Sequence, residues 1–339
     1  MSVPSPAPAR RRLKKRYLLL AFVVFGLVFA VGPRTPVIEP DPARVLADVP
    51  TELRALPSWV AARERAAGVR DTAVQARVVF AGDTVRTPWA VVYLHGFSGT
   101  RLEADPVPSL VARALGANLH EVRLTGHGLD GAALASASAE AWMGDALRAL
   151  AVGRRLGDSV VVIGLSTGGT LATWLAARRD STGPRPDKVV LISPNFGPKD
   201  QRTKAALLPW APVLLPKLIP TVVLGDTANR DPDIRRMSTK VFPVTAVLPM
   251  QGLVDHVLHM PLRSYTAPTL AIWNPEDPVV LSKATAAWLK GLEARKLVVE
   301  REELAPQPTE NQHVITGRLL APSTVDRVSD RVVRFVRGG

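Results

Sequence analysis

The sequence contains no cysteine among its 339 residues. This absence excludes disulfide bonds, thiolate metal sites, a cysteine nucleophile and lipid attachment through an N-terminal cysteine. Aromatic residues are also scarce, at 5% of the chain. Hydrophobic residues make up 47% and charged residues 22%. That balance is typical of a folded globular protein, here long enough for one large domain or two modest ones.

Acidic residues are missing from the most basic stretch of the chain, RRRLKKR at 10–16. The formal net charge is +13, and six of the positive charges lie in this stretch. The other basic residues are scattered, often beside Asp or Glu. Nucleic-acid-binding proteins concentrate basic residues on one face, interleaved with aromatics. We therefore expect no nucleic-acid partner.

Charge is absent from the next run, YLLLAFVVFGLVFAVG at 17–32. As a helix it would be about 24 Å long, somewhat short of the roughly 30 Å hydrocarbon core of a bilayer. Two interpretations stay open: an uncleaved membrane anchor, which we favour, or a cleaved export signal with its cleavage site near 28–30. The basic flank predicts a cytoplasmic N-terminus. Either way we expect the main domain outside the cytoplasm, on the periplasmic or extracellular side.

The domain organisation follows from these segments. Residues 1–16 form a basic region, 17–32 the anchor or signal, 33–50 a proline-rich linker, and 51–339 one large domain. Within that domain, 196–266 carries many Leu, Pro and Val residues and shows no evident strand–helix pair. Insertions of this length are usually lids over a site. We predict a lid or cap with an apolar wall, with plain packing as the alternative.

Apolar, β-branched runs alternate with helical patterns along the rest of the chain. Strands are predicted at 76–80, 89–94, 118–124, 159–164, 188–193, 269–273 and 296–304. Helices are predicted at 51–67, 109–115, 139–156, 170–179, 283–294 and 324–336. This alternation predicts an α/β fold, with a mostly parallel sheet covered by helices on both faces. Ligands bind beyond the carboxyl ends of such strands, where the Gly, His, Ser and Asp residues of this chain collect.

One of those strand ends carries GLSTGG at 164–169. Its G-x-S-x-G pattern lies after an apolar strand and before a helix, the context that a nucleophile elbow requires. The serine must occupy a strained turn that lifts its Oγ above the sheet, and the glycines remove Cβ atoms that would collide. Ser166 is the candidate nucleophile, and Leu165 before it a candidate pocket residue. An ordinary Gly-rich turn is the alternative.

The loop HGF at 95–97 follows the first strong strand. In this architecture, that loop donates one backbone N–H to the oxyanion hole, and the residue after the nucleophile donates the other. Those donors would be Phe97 and Thr167. His95 is interpreted as a structural residue that holds the loop, at the edge of the pocket.

The candidate acid lies in NPEDPVV at 274–280, at the end of a strand. Asp277 is favoured over Glu276, although an acid that merely caps the next helix is the alternative. Of six histidines, only His313 follows the last strand and precedes the last helix. His256 and His259 lie in the insertion and are candidate pocket residues. No cluster of His and acidic residues has metal-ligand spacing, so neither a metal nor another cofactor is expected.

The stretches HGFSGT, RLTGHG, EAWMGDAL, GLSTGG, WNPEDPVV and QHVIT occur in that order along the chain. Together they resemble the α/β-hydrolase superfamily, in particular its serine esterases and monoacylglycerol-lipase-like members, over about 78–335. The resemblance implies Ser166 as nucleophile, His313 as base and Asp277 as orienting acid. It also implies Phe97 and Thr167 as oxyanion donors. The insertion departs from the pattern, which puts the substrate in doubt.

The predicted activity is hydrolysis of a small-molecule or lipid carboxylic ester through an acyl-enzyme. Lactones, thioesters and amides stay open as substrates of the same three residues, as does an acyltransferase. A catalytically silent, membrane-anchored binding protein is the alternative from another class.

Overall fold

The computed structural model describes residues 9–178, 183–225, 227–228 and 231–338. Of residues 9–16 only the helical backbone is described. The beginning of the predicted basic region, 1–8, and the predicted helix end at 179 therefore lie outside the described residues.

Within the described residues there are nine strands, at the following positions. They are β1 (Arg77–Val79), β2 (Thr87–Leu94), β3 (Asn118–Glu121), β4 (Gly157–Leu165), β5 (Lys188–Ile192), β6 (Thr221–Val223), β7 (Val241–Pro243), β8 (Thr269–Trp273) and β9 (Val299–Glu303).

The α-helices of the same residues alternate with these strands. They are α1 (Ala9–Ala30), α2 (Pro42–Leu46), α3 (Leu56–Ala66), α4 (Val107–Leu115), α5 (Gly131–Ser136), α6 (Ala139–Leu156), α7 (Thr167–Ala177), α8 (Ala211–Leu218), α9 (Pro232–Met237), α10 (Val247–Leu258), α11 (Ser282–Glu293) and α12 (Val325–Arg337).

Seven strands form one sheet in the order β1-β3-β2-β4-β5-β8-β9. Every neighbouring pair is parallel except β1 with β3, which is antiparallel. The central strands read as unbroken apolar runs because both of their faces are covered. The predicted α/β fold with a mostly parallel sheet is confirmed, and the strands predicted at 89–94, 188–193 and 269–273 match within two residues.

Helices cover the sheet on both faces and form two apolar layers. One layer joins α4 and α12 to the sheet, with Val111, Val328 and Val332 fully buried. The other layer joins α6, α7, α10 and α11 to the opposite face, around Trp142 and Trp174. The amphipathic pattern of α12 thus places its valines on the sheet, and Arg327, Arg334 and Arg337 in solvent.

The insertion 196–266 contains more regular structure than its sequence pattern indicated. It holds α8, α9 and α10, and the antiparallel pair β6–β7. These strands are three residues each, too short to show a period, and prolines interrupt the helical pattern. The insertion also touches the loop after β2, because the Thr239 amide donates to the Ser98 carbonyl oxygen at 2.7 Å.

The first helix projects from the rest of the protein and is held at its end. The Trp210 indole N–H donates to the Val28 carbonyl oxygen at 3.1 Å, and the Trp210 amide donates to the Pro33 carbonyl oxygen at 2.8 Å. In the part of the chain that the structure describes, no helix is long and apolar enough to cross a membrane. The predicted membrane-spanning anchor is therefore not supported. The uncharged part of α1 covers only 17–30, a length of about 21 Å.

Candidate active site

Ser166 lies at the sharp turn between β4 and α7. Its backbone has φ 52° and ψ −116°, a conformation that residues other than glycine rarely adopt. The glycines on either side have no room for a Cβ atom. A Cβ on Gly164 would lie 2.3 Å from the Gly168 carbonyl oxygen, and one on Gly168 would lie 2.0 Å from the Leu94 carbonyl oxygen. The G-x-S-x-G pattern therefore reflects close backbone packing in this turn.

Hydrogen bonds from the next strand hold this strained backbone in place. The Ser166 amide donates to the Ile192 carbonyl oxygen at 2.9 Å, and the Ser166 carbonyl oxygen accepts from the Asn195 amide at 3.0 Å. The Thr170 hydroxyl donates to the Asn195 carbonyl oxygen at 2.7 Å. Strain of about 1–3 kcal/mol persists only where the surroundings impose it, and these contacts impose it here.

His313 lies within hydrogen-bonding distance of the serine. Its Nε2 atom is 3.0 Å from the Ser166 Oγ atom, and its Nδ1 atom is 2.7 Å from the Asp277 Oδ2 atom. The three residues come from the ends of β4 and β8 and from the segment after β9. The parallel sheet brings these segments to one edge, because the carboxyl ends of its strands meet there.

The Asp277 side chain is fully buried and uses both of its oxygens. Oδ2 faces His313, while Oδ1 accepts from the Val279 and Val280 amides at 2.8 and 2.9 Å. Glu276 is exposed. The structure thus brings Asp277 to the histidine, and the amides that Asp277 caps belong to the loop before α11.

Two asparagines that the sequence analysis missed shape the histidine loop. Asn311 Oδ1 accepts from the His313 and Val314 amides at 2.9 and 2.7 Å. The Asn274 side-chain amide donates to the Gln312 carbonyl oxygen at 3.1 Å. The signal in the sequence was the polar run ENQ directly before His313.

Phe97 and Thr167 carry the two backbone N–H groups that were predicted as oxyanion donors. Among the described residues, neither amide donates to a protein acceptor. The loop of Phe97 lies against the serine, since a Cβ on Gly96 would be 3.2 Å from the Ser166 Cβ atom. Two unpaired N–H groups beside a serine can stabilise a developing oxyanion.

Both ring nitrogens of His95 contact backbone groups of neighbouring loops. Its Nδ1 atom lies 2.8 Å from the Gly96 carbonyl oxygen, and its Nε2 atom accepts from the Leu124 amide at 3.1 Å. Complete burial lowers the pKa of His95 to about 4. The neutral ring, with its proton on Nδ1, satisfies both contacts.

An aromatic cluster surrounds the Phe97 ring. Trp142 of α6, Phe242 of β7 and His127 pack edge-on against Phe97, with ring centroids 6.0, 5.4 and 6.1 Å away. Burial lowers the pKa of His127 well below its ordinary value. The insertion therefore contacts the loop of Phe97 through an aromatic side chain as well as through the backbone of Thr239.

Three candidate pocket residues lie elsewhere in the structure. The His256 Nε2 atom is 2.8 Å from the Glu39 Oε1 atom in the linker, and His259 is exposed beside Asp255. The Leu165 side chain is buried in the apolar layer under α4 and α12. His256 lies on α10 and His259 directly follows this helix, and their contacts are with Glu39 and Asp255 rather than with the serine.

The described residues contain no group of three or more His, Cys, Asp or Glu side chains that could hold a metal ion.

Comparisons with known proteins agree with this fold. A sequence model of the alpha/beta hydrolase family matches residues 91–309. A comparison with curated protein sequences gave no match. The structure is similar to that of a lipolytic enzyme from the metagenome-derived pair LipS and LipT, with 21% identity and a TM-score of 0.62 over 79% of this chain and 99% of that chain.

Two monoacylglycerol lipases have similar structures. A soluble variant of the monoglyceride lipase of Saccharomyces cerevisiae has 11% identity and a TM-score of 0.58, over 77% of this chain and 90% of that chain. The monoacylglycerol lipase of Paleococcus ferrophilus has 15% identity and a TM-score of 0.54, over 77% of this chain and 97% of that chain. At these identities the likeness concerns the fold.

Proposed function

The chain belongs to the alpha/beta hydrolase family, as its resemblance indicated, and we propose that it is a serine hydrolase of carboxylic esters. One observation carries the proposal: His313 links the Ser166 Oγ atom at 3.0 Å to the buried Asp277 carboxylate at 2.7 Å. A nucleophile, a base and an orienting acid in contact are the requirements of acyl transfer by serine.

In the first half-reaction, His313 Nε2 takes the hydroxyl proton of Ser166 as Oγ attacks the ester carbonyl carbon. Asp277 accepts from Nδ1–H, holds the ring in that tautomer and stabilises the imidazolium. The tetrahedral oxyanion lies against the Phe97 and Thr167 amides, each worth about 3 kcal/mol of transition-state stabilisation. His313 then gives its proton to the leaving alcohol as the C–O bond breaks.

In the second half-reaction, water attacks the acyl-enzyme carbonyl carbon and gives a proton to His313. The intermediate collapses, the Ser166 Oγ–acyl bond breaks, and His313 returns the proton to Oγ. The products are the carboxylic acid and the free enzyme. An alcohol in place of water gives transesterification, so an assay with added alcohol separates a hydrolase from an acyltransferase.

The substrate class that we propose is a lipid-like or short acyl ester. The similar structures include a lipolytic enzyme and monoacylglycerol lipases. The insertion beside the site also exposes apolar side chains, among them Leu214, Leu218 and Val223. Apolar surface of this kind suits an acyl chain better than a charged substrate.

We further propose that α1 associates with a lipid surface and that the catalytic domain lies outside the cytoplasm. Large apolar side chains between Tyr17 and Val31 are exposed, and six basic residues precede them. Apolar side chains next to basic residues favour the interface of an anionic membrane. Flotation of the full chain with phosphatidylglycerol vesicles, beside a fragment that begins at Arg34, tests this. Equal flotation of the two would exclude a role for α1.

The test of the main proposal is labelling with a fluorophosphonate probe, which reacts with activated serines. We expect labelling of the wild type and its loss in Ser166→Ala. Ser159→Ala, at the other end of β4, is the matched control and should label normally. Hydrolysis of p-nitrophenyl esters of increasing chain length then measures the acyl preference. A folded wild-type protein that neither labels nor hydrolyses any ester would overturn the proposal in favour of a binding protein.

A further inference from the structure

Glu103 is a buried acid close to the serine that the proposed reaction does not use. It ends the short 3₁₀ helix Arg101–Glu103, which follows the loop of Phe97, and only 6% of its surface is exposed. Burying a carboxyl group is costly unless its oxygens are paired. The burial of the Glu103 carboxyl group therefore indicates that this side chain has a role in the structure or the reaction.

The Glu103 carboxyl contacts the backbone of the loop directly. Its Oε2 atom accepts from the Gly96 amide at 2.7 Å. The Gly96 carbonyl oxygen is held in turn by the Nδ1 atom of His95 at 2.8 Å. Gly96 is thus fixed at both its N–H and its C=O. Glu103 holds the N–H, and His95 together with the Gly99 amide, which donates at 3.3 Å, holds the C=O.

This double contact sets the direction of the Phe97 N–H group. In a planar trans peptide the N–H of one residue points opposite to the C=O of the residue before it. The Phe97 N–H belongs to the same peptide as the Gly96 carbonyl, which His95 and the Gly99 amide hold. Glu103 holds the preceding peptide, so these contacts together fix the rotation at Gly96 between the two peptides. Glycine alone could rotate freely here, and the two side chains remove that freedom.

Glu103 lies between two loops of the site, with its side chain against one and its backbone against the other. A Cβ on Gly99 would lie 2.1 Å from the Glu103 carboxyl carbon, so the loop closes around the acid. A Cβ on Gly317, in the segment after His313, would lie 2.2 Å from the Glu103 carbonyl oxygen. Glu103 therefore packs against both the loop of Phe97 and the segment that carries the histidine.

The pKa of Glu103 is consistent with this buried position. Burial raises the pKa of Glu103 to about 8, against the lowering effect of the Gly96 N–H. At neutral pH the acid is mostly uncharged, so it still accepts the hydrogen bond without placing a negative charge beside the developing oxyanion. Burial also raises the pKa of the neighbouring Tyr93 well above its ordinary value, so this side chain adds no charge either.

We propose that Glu103 is a positioning residue, which aims the Phe97 N–H at the oxyanion by holding the Gly96 amide. The inference rests on the proposed function, since it concerns the rate of the same acyl transfer. This positioning requires an acceptor oxygen on the side chain of residue 103, and it does not depend on a negative charge there. Glutamine meets this requirement, whereas a methionine of similar length has no strong acceptor.

The experiment compares Glu103→Gln and Glu103→Met with the wild type in p-nitrophenyl ester hydrolysis at pH 7. The concentration of active sites is counted with the fluorophosphonate probe. For Glu103→Met we expect kcat per labelled site to fall 10- to 100-fold with KM within twofold, because a misdirected donor acts in the transition state. Glu103→Gln should keep kcat within about threefold of the wild type.

Equal kcat per labelled site in Glu103→Met and the wild type would overturn the inference, as would an equal loss in both variants. If Glu103→Met does not fold, Glu103→Asp replaces it. The shorter side chain withdraws the acceptor and should likewise lower kcat and leave KM unchanged, and an unaltered kcat there would also overturn the inference. A wild type without labelling or activity would instead defeat the proposed function, so the two failures are distinguishable.

Discussion

The Nδ1 atom of His313 lies 2.7 Å from the Oδ2 atom of Asp277, while the other oxygen of that carboxylate accepts from two backbone amides. The two sides of the carboxylate are therefore not equivalent. Oδ1 accepts hydrogen bonds from the loop, and Oδ2 accepts the hydrogen bond from the Nδ1–H group of His313. The tautomer of His313 follows from this division.

Asp277→Asn should lower kcat by about 10⁴-fold, the loss that a wrong histidine tautomer causes in such a triad. The Asn oxygen must keep accepting from the Val279 and Val280 amides, so its NH₂ group must face His313 Nδ1. The ring then carries its proton on Nε2 and cannot accept from Ser166. Steady-state ester hydrolysis measures this, and the exposed Glu276→Gln is the control with unchanged kcat. Comparable losses in the two variants would contradict the assignment.

Gly168→Ala should prevent the nucleophile turn from forming. A Cβ at this position would lie 2.0 Å from the Leu94 carbonyl oxygen, and strand backbone cannot move aside. We expect a loss of more than about 3 kcal/mol in the free energy of unfolding. Gly82→Ala, where no atom lies within 4 Å, should change it by less than about 0.5 kcal/mol. Urea unfolding measures the free energy of unfolding of both variants. A Gly168→Ala protein as stable as the wild type would show that the turn can accommodate a Cβ atom at this position.

Phe242→Ala should weaken the contact between the insertion and the loop of Phe97. The Phe242 ring is 1% exposed, and its centroid lies 5.4 Å from that of Phe97. Truncating a buried phenylalanine costs about 3–5 kcal/mol, so the melting temperature and kcat should both fall. Val241→Ala, on the exposed side of the same strand, is the control and should have little effect. A Phe242→Ala protein as stable and active as the wild type would mean that the position of the insertion does not depend on its contact with Phe97.

His120→Gln should make the protein less sensitive to acid. Burial lowers the pKa of His120 from 6.5 to about 4, while its Nδ1 atom contacts the Arg77 carbonyl oxygen. The folded state keeps this ring neutral and the unfolded state protonates it, so its contribution to stability is present above pH 6.5 and is lost as pH falls toward 4.

Glutamine can keep the hydrogen bond to Arg77 but cannot be protonated in this range. Between pH 7 and 4.5 the free energy of unfolding of His120→Gln should therefore fall by about 2–3 kcal/mol less than that of the wild type. Urea unfolding at the two pH values measures this. The exposed His259→Gln should follow the wild type, and parallel curves for His120→Gln would contradict the prediction.

Much of the fold could be predicted from local patterns. The strand predicted at 269–273 and the helix predicted at 139–156 have the boundaries of β8 and α6. Both depend on apolar periodicity within one segment. The elements of the insertion could not be predicted, because β6 and β7 are stabilised by each other and by the loop of Phe97 rather than by their own sequence pattern.

Some features of the candidate site could likewise be predicted from the sequence, and others could not. The turn at Ser166 was visible in the sequence, because the G-x-S-x-G pattern lies within one short segment. So was the order of serine, acid and histidine along the chain. The backbone that leaves no room for a Cβ atom on Gly168 is that of Leu94, which is distant in the chain.

The sequence already favoured Asp277 over Glu276. The contact of Asp277 with His313, the contact of His256 with Glu39 and the burial of Glu103 are visible only in the tertiary structure. Each depends on which atoms of distant segments come within hydrogen-bonding distance, and only the folded sheet brings those segments together.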